Sequence, residues 1–484
     1  MEPRRVHITT YGCQMNQVDT ELAAQVLRDS GAEVVEDAAS ANVLLFVTCS
    51  VRAHAEDRVF SNIGALKARK RREPGLVIGL VGCMAQQYGV RLRERAPLVD
   101  LVCGPGRLGD LPALIEKARA GRRAESLDPP RTESATGASW SDAALDAAEI
   151  ARPLGGPLPG SPGRRRGKPG QAYVVAMRGC DNFCSYCVVP NVRGRERSRA
   201  PRSVIEEVRR LVGQGARRIT FLGQAVNQYR AEEDGRRWDL ADLLTEAAAA
   251  AGPARLAFIT NHPKAMTERL ARVFRDVPMV LPYLHMPAQS GSDAVLARMN
   301  RGYTAAEYAE RVAMVREARP DVAVASDFIV GFPGETAEDF EATADLVRRM
   351  RFAGAFVFKY SPRPGTAAER YADDVPTAEK RRRHKELLAL VEQIAGEENQ
   401  RFAGRTVRVF VEDLAPRPHA KARARQGGRL NGDVQLRGRT PCHRIVVFDG
   451  PPDAVGTEVD VAIWKAGPLT LFGRLAGEDC RVGV

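Results

Sequence analysis

At 484 residues, 44% hydrophobic and 27% charged, the chain exceeds what one hydrophobic core fills and has the balance of a folded globular protein of about three domains. The longest apolar run, about ten residues at 76–85, is too short to cross a bilayer, and no signal-peptide core opens the chain, so a cytoplasmic protein without a membrane partner is expected. Nine scattered cysteines exclude a disulfide scaffold, and 72 Lys and Arg against 60 Asp and Glu, a net charge of +12, direct attention to a polyanionic partner.

The first region, residues 4–120, alternates short β-rich runs with amphipathic helices. Strands are predicted at 6–10, 42–47, 76–81 and 98–102. Asn16 is placed as the cap of a helix with Val18, Leu22, Val26 and Leu27 on its apolar face and Gly31 as its stop. Further helices are expected at 52–72, 86–95 and 108–120. Near-continuous apolar strands separated by helices imply an α/β fold, a doubly wound parallel sheet covered on both faces. The run Lys67, Arg69, Lys70, Arg71 and Arg72 reads as a solvated basic face.

Residues 121–170 hold 15 Gly or Pro in 50 positions and read as a linker. From 171 to 402 the alternation resumes with six βα units, their strands at 172–176, 218–222, 256–260, 280–284, 322–330 and 355–359. Six are too few for a closed eightfold barrel and suit a partial (β/α)6 barrel, whose chemistry sits at the strand C-termini. A second basic run, Arg193, Arg195, Arg197, Arg199 and Arg202, is again read as surface. After a charged helix at 377–402 the period changes to two, with strands at 406–411, 443–448, 458–464 and 470–475, so residues 403–476 read as a small β-barrel. Eight Lys or Arg against the single acid Asp433 between residues 417 and 444 mark it as a candidate nucleic-acid surface.

Cys180, Cys184 and Cys187 follow the first strand of the central domain with C-x3-C-x2-C spacing. A loop can turn three such thiolates around one iron-sulfur cube, leaving one iron open to a small molecule. Zinc is the alternative and would need a distant fourth ligand, since no histidine lies within 70 residues. Cys13, Cys49 and Cys83 are far apart, but each lies within about three residues of a predicted parallel strand's end, where open α/β sheets bind ligands. They are read as a second three-cysteine set. Cys103, Cys442 and Cys480 match neither set, with a packed thiol the expectation for Cys103. His262 and His285, at strand ends, are expected to line a pocket.

With these residues on the page, the chain resembles the radical S-adenosylmethionine methylthiotransferases, specifically the branch acting on tRNA. The resemblance rests on Thr10-Tyr11-Gly12-Cys13-Gln14-Met15-Asn16, Thr48-Cys49-Ser50-Val51-Arg52 and Gly82-Cys83-Met84-Ala85-Gln86 in the first domain. It continues through the Cys180, Cys184, Cys187 motif, Leu222-Gly223-Gln224, Gln289-Ser290-Gly291-Ser292-Asp293 and Gly331-Phe332-Pro333-Gly334-Glu335. The barrel at 403–476 is similar to a TRAM domain, a small RNA-binding barrel. Ala225 stands where the tRNA branch usually has Asn, Thr20 replaces a common Ser, and the linker is unusually long.

The resemblance implies two [4Fe-4S] clusters. One, on Cys180, Cys184 and Cys187, would bind S-adenosylmethionine and cleave it reductively to a 5′-deoxyadenosyl radical. The other, on Cys13, Cys49 and Cys83, would carry sulfur to carbon 2 of an isopentenylated adenosine beside the anticodon, at position 37. Two S-adenosylmethionine molecules per turnover would serve as radical source and methyl donor. Tyr186, Gly223, Gln224, Gly331, Phe332, Pro333, Gly334 and Glu335 would line the cofactor site. The partners implied are tRNA, through its anticodon loop, and an electron donor such as flavodoxin, with the protein a monomer. Sister enzymes act on threonylcarbamoyl-adenosine or on an aspartate of a ribosomal protein, and Cys13-Gln14-Met15-Asn16 fits them less well. A reading of another class is a non-catalytic iron-sulfur RNA-binding protein, which cofactor cleavage would distinguish.

Overall fold

The computed structural model describes residues 3–50, 53–128, 169–415 and 433–476. A six-stranded parallel sheet forms the N-terminal domain, built from β1 (Arg5–Tyr11), β2 (Glu33–Val34), β3 (Val43–Thr48), β4 (Val77–Gly82), β5 (Leu101–Cys103) and β6 (Ala124–Ser126) in the order β2-β1-β3-β4-β5-β6. Alternate residues feed two cores. Ile8, Leu45, Val47, Val81 and Leu101 pack on α1 (Gln14–Asp29) and the helix Leu111–Arg119, while Leu44, Phe46, Ile78, Leu80 and Val102 pack on Val59 and Ile63 of the helix Ala53–Ala65. β3 and β4 are buried at every position, so each side chain has a core to enter whichever way it points.

Several expectations are corrected. β6 adds a strand beyond residue 120, inside the stretch read as linker, whose greater part lies outside the described residues. The helix expected at 52–72 is interrupted at Leu66 into Ala53–Ala65 and Lys67–Arg72. The helix expected at 86–95 begins at Cys83 and breaks at Gly89. Asn16 is not the cap of α1: Cys13 holds that position, and Asn16 reaches back from the first turn.

The central domain carries the six expected strands at Gln171–Val175, Arg218–Leu222, Arg255–Phe258, Tyr283–His285, Ala323–Val330 and Gly354–Lys359. Ladders join the first three and the last three, and one bridge, Leu256 to Val280, links the halves into a partial barrel. An unforeseen hairpin, Arg230–Glu233 with Arg236–Asp239, follows the second strand. Strands Thr406–Leu414, Val434–Arg439, Ile445–Gly450, Glu458–Ala466 and Leu471–Leu475 close into a C-terminal barrel, of which Val434–Arg439 was unforeseen. This barrel docks beneath the central domain: Tyr283 stacks on His443 at 4.1 Å, and Asn399 at the end of the helix Thr377–Gln400 donates to the carbonyls of Gly467 and Pro468. Among the described residues, no helix is long and apolar enough to cross a membrane.

Candidate active site

Register places the first cysteine set. Tyr11 pairs with Thr48 and Thr48 with Gly82, so β1, β3 and β4 end level and Cys13, Cys49 and Cys83 emerge together at one edge. The sheet order reverses between β1 and β3, and a reversal opens a crevice at the strand C-termini. Small residues let the ends converge. A Cβ on Gly12 would lie 2.2 Å from Asn16 Oδ1 and 2.9 Å from Cys49 Cβ, and one on Gly82 would lie 2.8 Å from the Thr48 carbonyl.

Asn16 ties the strand ends together. Its Oδ1 accepts from the Cys13 amide at 3.2 Å and the Cys13 thiol at 3.3 Å, and its Nδ2 donates to the Thr48 carbonyl at 3.1 Å. The three thiols are electrostatically unlike. A hydrogen bond from Cys49, helped by the Arg193 charge and the amides of α1's first turn, outweighs burial and draws the Cys13 thiol down to about 6. Burial pushes the Cys83 thiol up, with Arg193 partly opposing it.

The second set lies on a loop after the first strand of the central domain. Gly179, at φ +75°, passes so close to Arg195 that a Cβ would lie 1.9 Å from its carbonyl. Loop polar groups are held from the far side of the barrel: Ser185 bonds the Met299 and Arg298 carbonyls at 2.9 Å each, and Asn300 donates to Phe183 at 2.9 Å. Cys180 and Cys184 are buried and Cys187 half-buried. Asn182 donates to Cys180 Sγ at 3.1 Å, and the buried Arg301 to Cys184 Sγ at 3.2 Å and the Pro287 carbonyl at 3.0 Å. Burial and then the neighbouring Cys184 push the Cys187 thiol up to about 12.

Among the described residues, no three ligating side chains stand at metal-bonding spacing; the Cys13 sulfur is hydrogen-bonded to Asn16, Cys180 to Asn182, Cys83 to Arg193 and Cys184 to Arg301. The donor chemistry fits an iron-sulfur cube. Neighbouring thiols that raise one another's affinity for protons lose that repulsion on binding iron, and N–H donors aimed at sulfur stabilise thiolate ligands.

The remaining predicted residues divide. Tyr186 packs with Phe332, Val295, Met299 and Tyr360, which joins the cysteine loop to the turn Gly331 to Glu335. Within that turn Phe332 and Pro333 are buried, and Glu335 accepts from the Gly331 amide at 2.8 Å and Arg383 at 2.6 Å. The turn's backbone is held as well: the Gly334 amide donates to Asp374 at 2.7 Å, and the Gly334 and Glu335 carbonyls accept from Arg298 at 2.8 Å and Arg383 at 3.0 Å. Gly223 lies against Met177, where a Cβ would meet Cγ at 2.6 Å, and the buried Oε1 of Gln224 has no hydrogen-bond partner among the described residues. His262 packs edge-on to Tyr303, and burial together with Arg301 and Lys264 lowers it to about 2. His285 bonds Asp327 at 3.2 Å. Cys103 is a packed thiol donating to the Arg107 carbonyl at 3.2 Å, Cys442 is half-buried beside Thr440, and Cys480 lies outside the described residues.

The segment that follows Cys187 packs on Cys83 across the domain boundary. Cys83 shares one packed cluster with Val188 and Val192, the first of which directly follows Cys187. Arg193, read as basic surface, is buried here, and so is Arg199, which pairs with Glu207 at 2.6 Å. Arg301 and Arg193 both escape a reading by motif, because their partners are more than a hundred residues away in the chain.

Comparison with known proteins agrees with this architecture. Residues 5–104 match the model described as uncharacterized protein family UPF0004, and residues 174–347 match the radical SAM superfamily. The chain is 44% identical over 476 residues to the tRNA-2-methylthio-N(6)-dimethylallyladenosine synthase of Rhodopirellula baltica, covering 98% of this chain and 95% of that protein. It is 40% identical to the proteins of the same name from Neisseria gonorrhoeae, over 98% and 99%, and from Moorella thermoacetica, over 97% of each. Among solved structures, the radical S-adenosylmethionine methyltransferase TsrM from Kitasatospora setae, with cobalamin and a [4Fe-4S] cluster bound, shares the fold with a TM-score of 0.52. That match is 16% identical and covers 76% of this chain and 74% of TsrM. By identity, by coverage and by the two matched domains, this chain belongs to the tRNA-2-methylthio-N(6)-dimethylallyladenosine synthase family of radical S-adenosylmethionine enzymes.

Proposed function

We propose that the protein methylthiolates carbon 2 of N6-dimethylallyladenosine at position 37 of tRNA. The observation that carries this reading is the convergence of two three-cysteine sets on one domain boundary, joined through Cys83, Val188 and Arg193. As a radical SAM enzyme the chain works with a [4Fe-4S] cluster and S-adenosylmethionine, which together supply a carbon radical able to break an unactivated aromatic C–H bond. Cys180, Cys184 and Cys187 would hold that cluster, and Cys13, Cys49 and Cys83 a second one that handles sulfur.

The protein's own part is to hold and to exclude. Asn182 donates to the Cys180 sulfur and Arg301 to the Cys184 sulfur, while Tyr186 and Phe332 close an apolar floor beside that loop. The backbone of Gly331 to Glu335, with Gly223 and Gln224, would line the S-adenosylmethionine site, and the neutral His262 would present ring nitrogens without adding charge. Turnover in this reading takes two S-adenosylmethionine molecules and electrons from a small redox protein such as flavodoxin. In this reading each chain carries both cysteine sets and acts as a monomer.

tRNA would be anchored at its anticodon loop, with the C-terminal barrel contributing charge. Of the basic stretch, Arg439 pairs with Glu412 at 3.1 Å and the buried Arg444 lies over Phe402. The phosphate-binding role therefore falls to Arg437 and to Arg417, Lys421, Arg423, Arg425 and Arg429, the last five outside the described residues. Reconstituted protein, given S-adenosylmethionine, a reductant and isopentenylated tRNA, should yield the 2-methylthio nucleoside by mass spectrometry. Modification of a ribosomal peptide, with tRNA inert, would overturn the substrate class.

A further inference from the structure

Arg193 lies in neither cysteine motif, yet it reaches from the helix that follows one set to a sulfur of the other. It ends the short helix Val189–Arg193 that follows Cys187, and its side chain, 5% exposed, crosses to the N-terminal domain. There Nη1 and Nη2 donate to Asp19 Oδ1 and Oδ2 at 3.2 and 2.5 Å, and Nε donates to Cys83 Sγ at 3.2 Å. Asp19 is fully buried on α1, the helix Cys13 caps, and also accepts from Arg178 at 3.3 Å. A guanidinium is planar, so the two-point grip of Asp19 fixes the direction of the Nε–H. That direction is toward sulfur. An arginine serving only to join two domains could do so at the rim, where the desolvation cost is small; this one is buried against a thiol.

We propose that Arg193, oriented by Asp19, is a positioning residue that fixes the Cys83 sulfur toward the radical domain and biases the electronic state of the cluster on Cys13, Cys49 and Cys83. This rests on the reading of those cysteines given above. Hydrogen bonds to cluster sulfurs favour the more negative, reduced state and raise the reduction potential. Loss of the Nε donor should lower it.

The test uses the full-length chain with Cys180, Cys184 and Cys187 changed to Ala, so that only the amino-terminal set can hold iron. In that background Arg193→Met should shift the one-electron reduction equilibrium about tenfold toward the oxidised state, about 59 mV. Arg193→Lys, which keeps the charge but loses the fork, should shift it part of the way. Arg363→Ala, which removes a 3.4 Å bridge to Glu56 across the same boundary, should leave the potential unchanged. If the single variant folds poorly, Asp19→Asn with Arg193→Met removes both buried charges of the pair and should shift the potential in the same direction by less, since losing the Asp19 carboxylate opposes the loss of the donor. In the otherwise intact enzyme, Arg193→Met should still make 5′-deoxyadenosine but at least tenfold less methylthio product per cleavage. Iron retained with an unchanged potential in Arg193→Met and in the double variant overturns the role of Arg193. Absence of iron from the triple-alanine background overturns the cluster reading and this proposal with it.

Discussion

Gly82 offers a sharp test of how the sheet delivers its thiols. It has φ +95° and ψ −151°, a region open to glycine and costly by about 1–3 kcal/mol for other residues. A methyl group there would also lie 2.8 Å from the Thr48 carbonyl, which cannot simply withdraw because it accepts from Asn16 Nδ2 at 3.1 Å. Strain and clash together should cost Gly82→Ala about 3 kcal/mol locally, and at 1.4 kcal/mol per decade that is about a 100-fold loss of protection. Hydrogen exchange of peptides spanning β3 and β4 reads this directly. Gly75→Ala is the control, since nothing lies within 4 Å of its added carbon. Because Asn16 also holds Cys13, the damage should reach two thiols and lower the iron bound by the amino-terminal set. If Gly82→Ala exchanges like Gly75→Ala and binds iron normally, the convergence argued from β-strand register is wrong.

Four further outcomes are expected. Replacing Cys180, Cys184 and Cys187 with Ala should remove about half of about eight irons and all 5′-deoxyadenosine production, measured by iron assay and chromatography. Variants lacking Cys13, Cys49 or Cys83 should still cleave S-adenosylmethionine but give no methylthio product; loss of cleavage in folded Cys49→Ala would contradict the division of labour. In metal-free protein at pH 7, Cys13, drawn down to about 6, is largely thiolate and should be alkylated well before Cys187, held up at about 12; mass spectrometry showing the reverse order would refute the local electrostatics. Changing Lys421, Arg423 and Arg425 to Ala should make the salt dependence of tRNA binding shallower by about one unit of slope for each phosphate these side chains neutralise, and an unchanged slope would exclude them as anchors.

Where burial is strong the fold is legible in the chain itself. β3 and β4 are apolar at nearly every position, so their type and placement follow from composition alone, and the cysteines directly beyond them inherit a common edge. β6 and the strand Val434–Arg439 were not legible: the first has three residues in a Gly/Pro-rich context, and in the second Arg437 and Arg439 read as a charged loop. The hairpin Arg230–Glu233 with Arg236–Asp239 is masked by charge in the same way. Within the site, cysteine spacing reveals ligands but not what steers them. Arg193 meets Asp19 across 174 residues, and a charge run gives no sign that two of its arginines turn inward. Buried ion pairs that join domains are decided by packing, which neither period nor motif records.

The central claim is most directly tested by nucleoside mass spectrometry of tRNA from cells lacking this protein, complemented with the intact chain or with Cys49→Ala. The account predicts that 2-methylthio-N6-dimethylallyladenosine disappears in the deletion, with N6-dimethylallyladenosine accumulating. The modified nucleoside should return with the intact chain and stay absent with Cys49→Ala. An unchanged nucleoside profile in the deletion, or full restoration by Cys49→Ala, would contradict it.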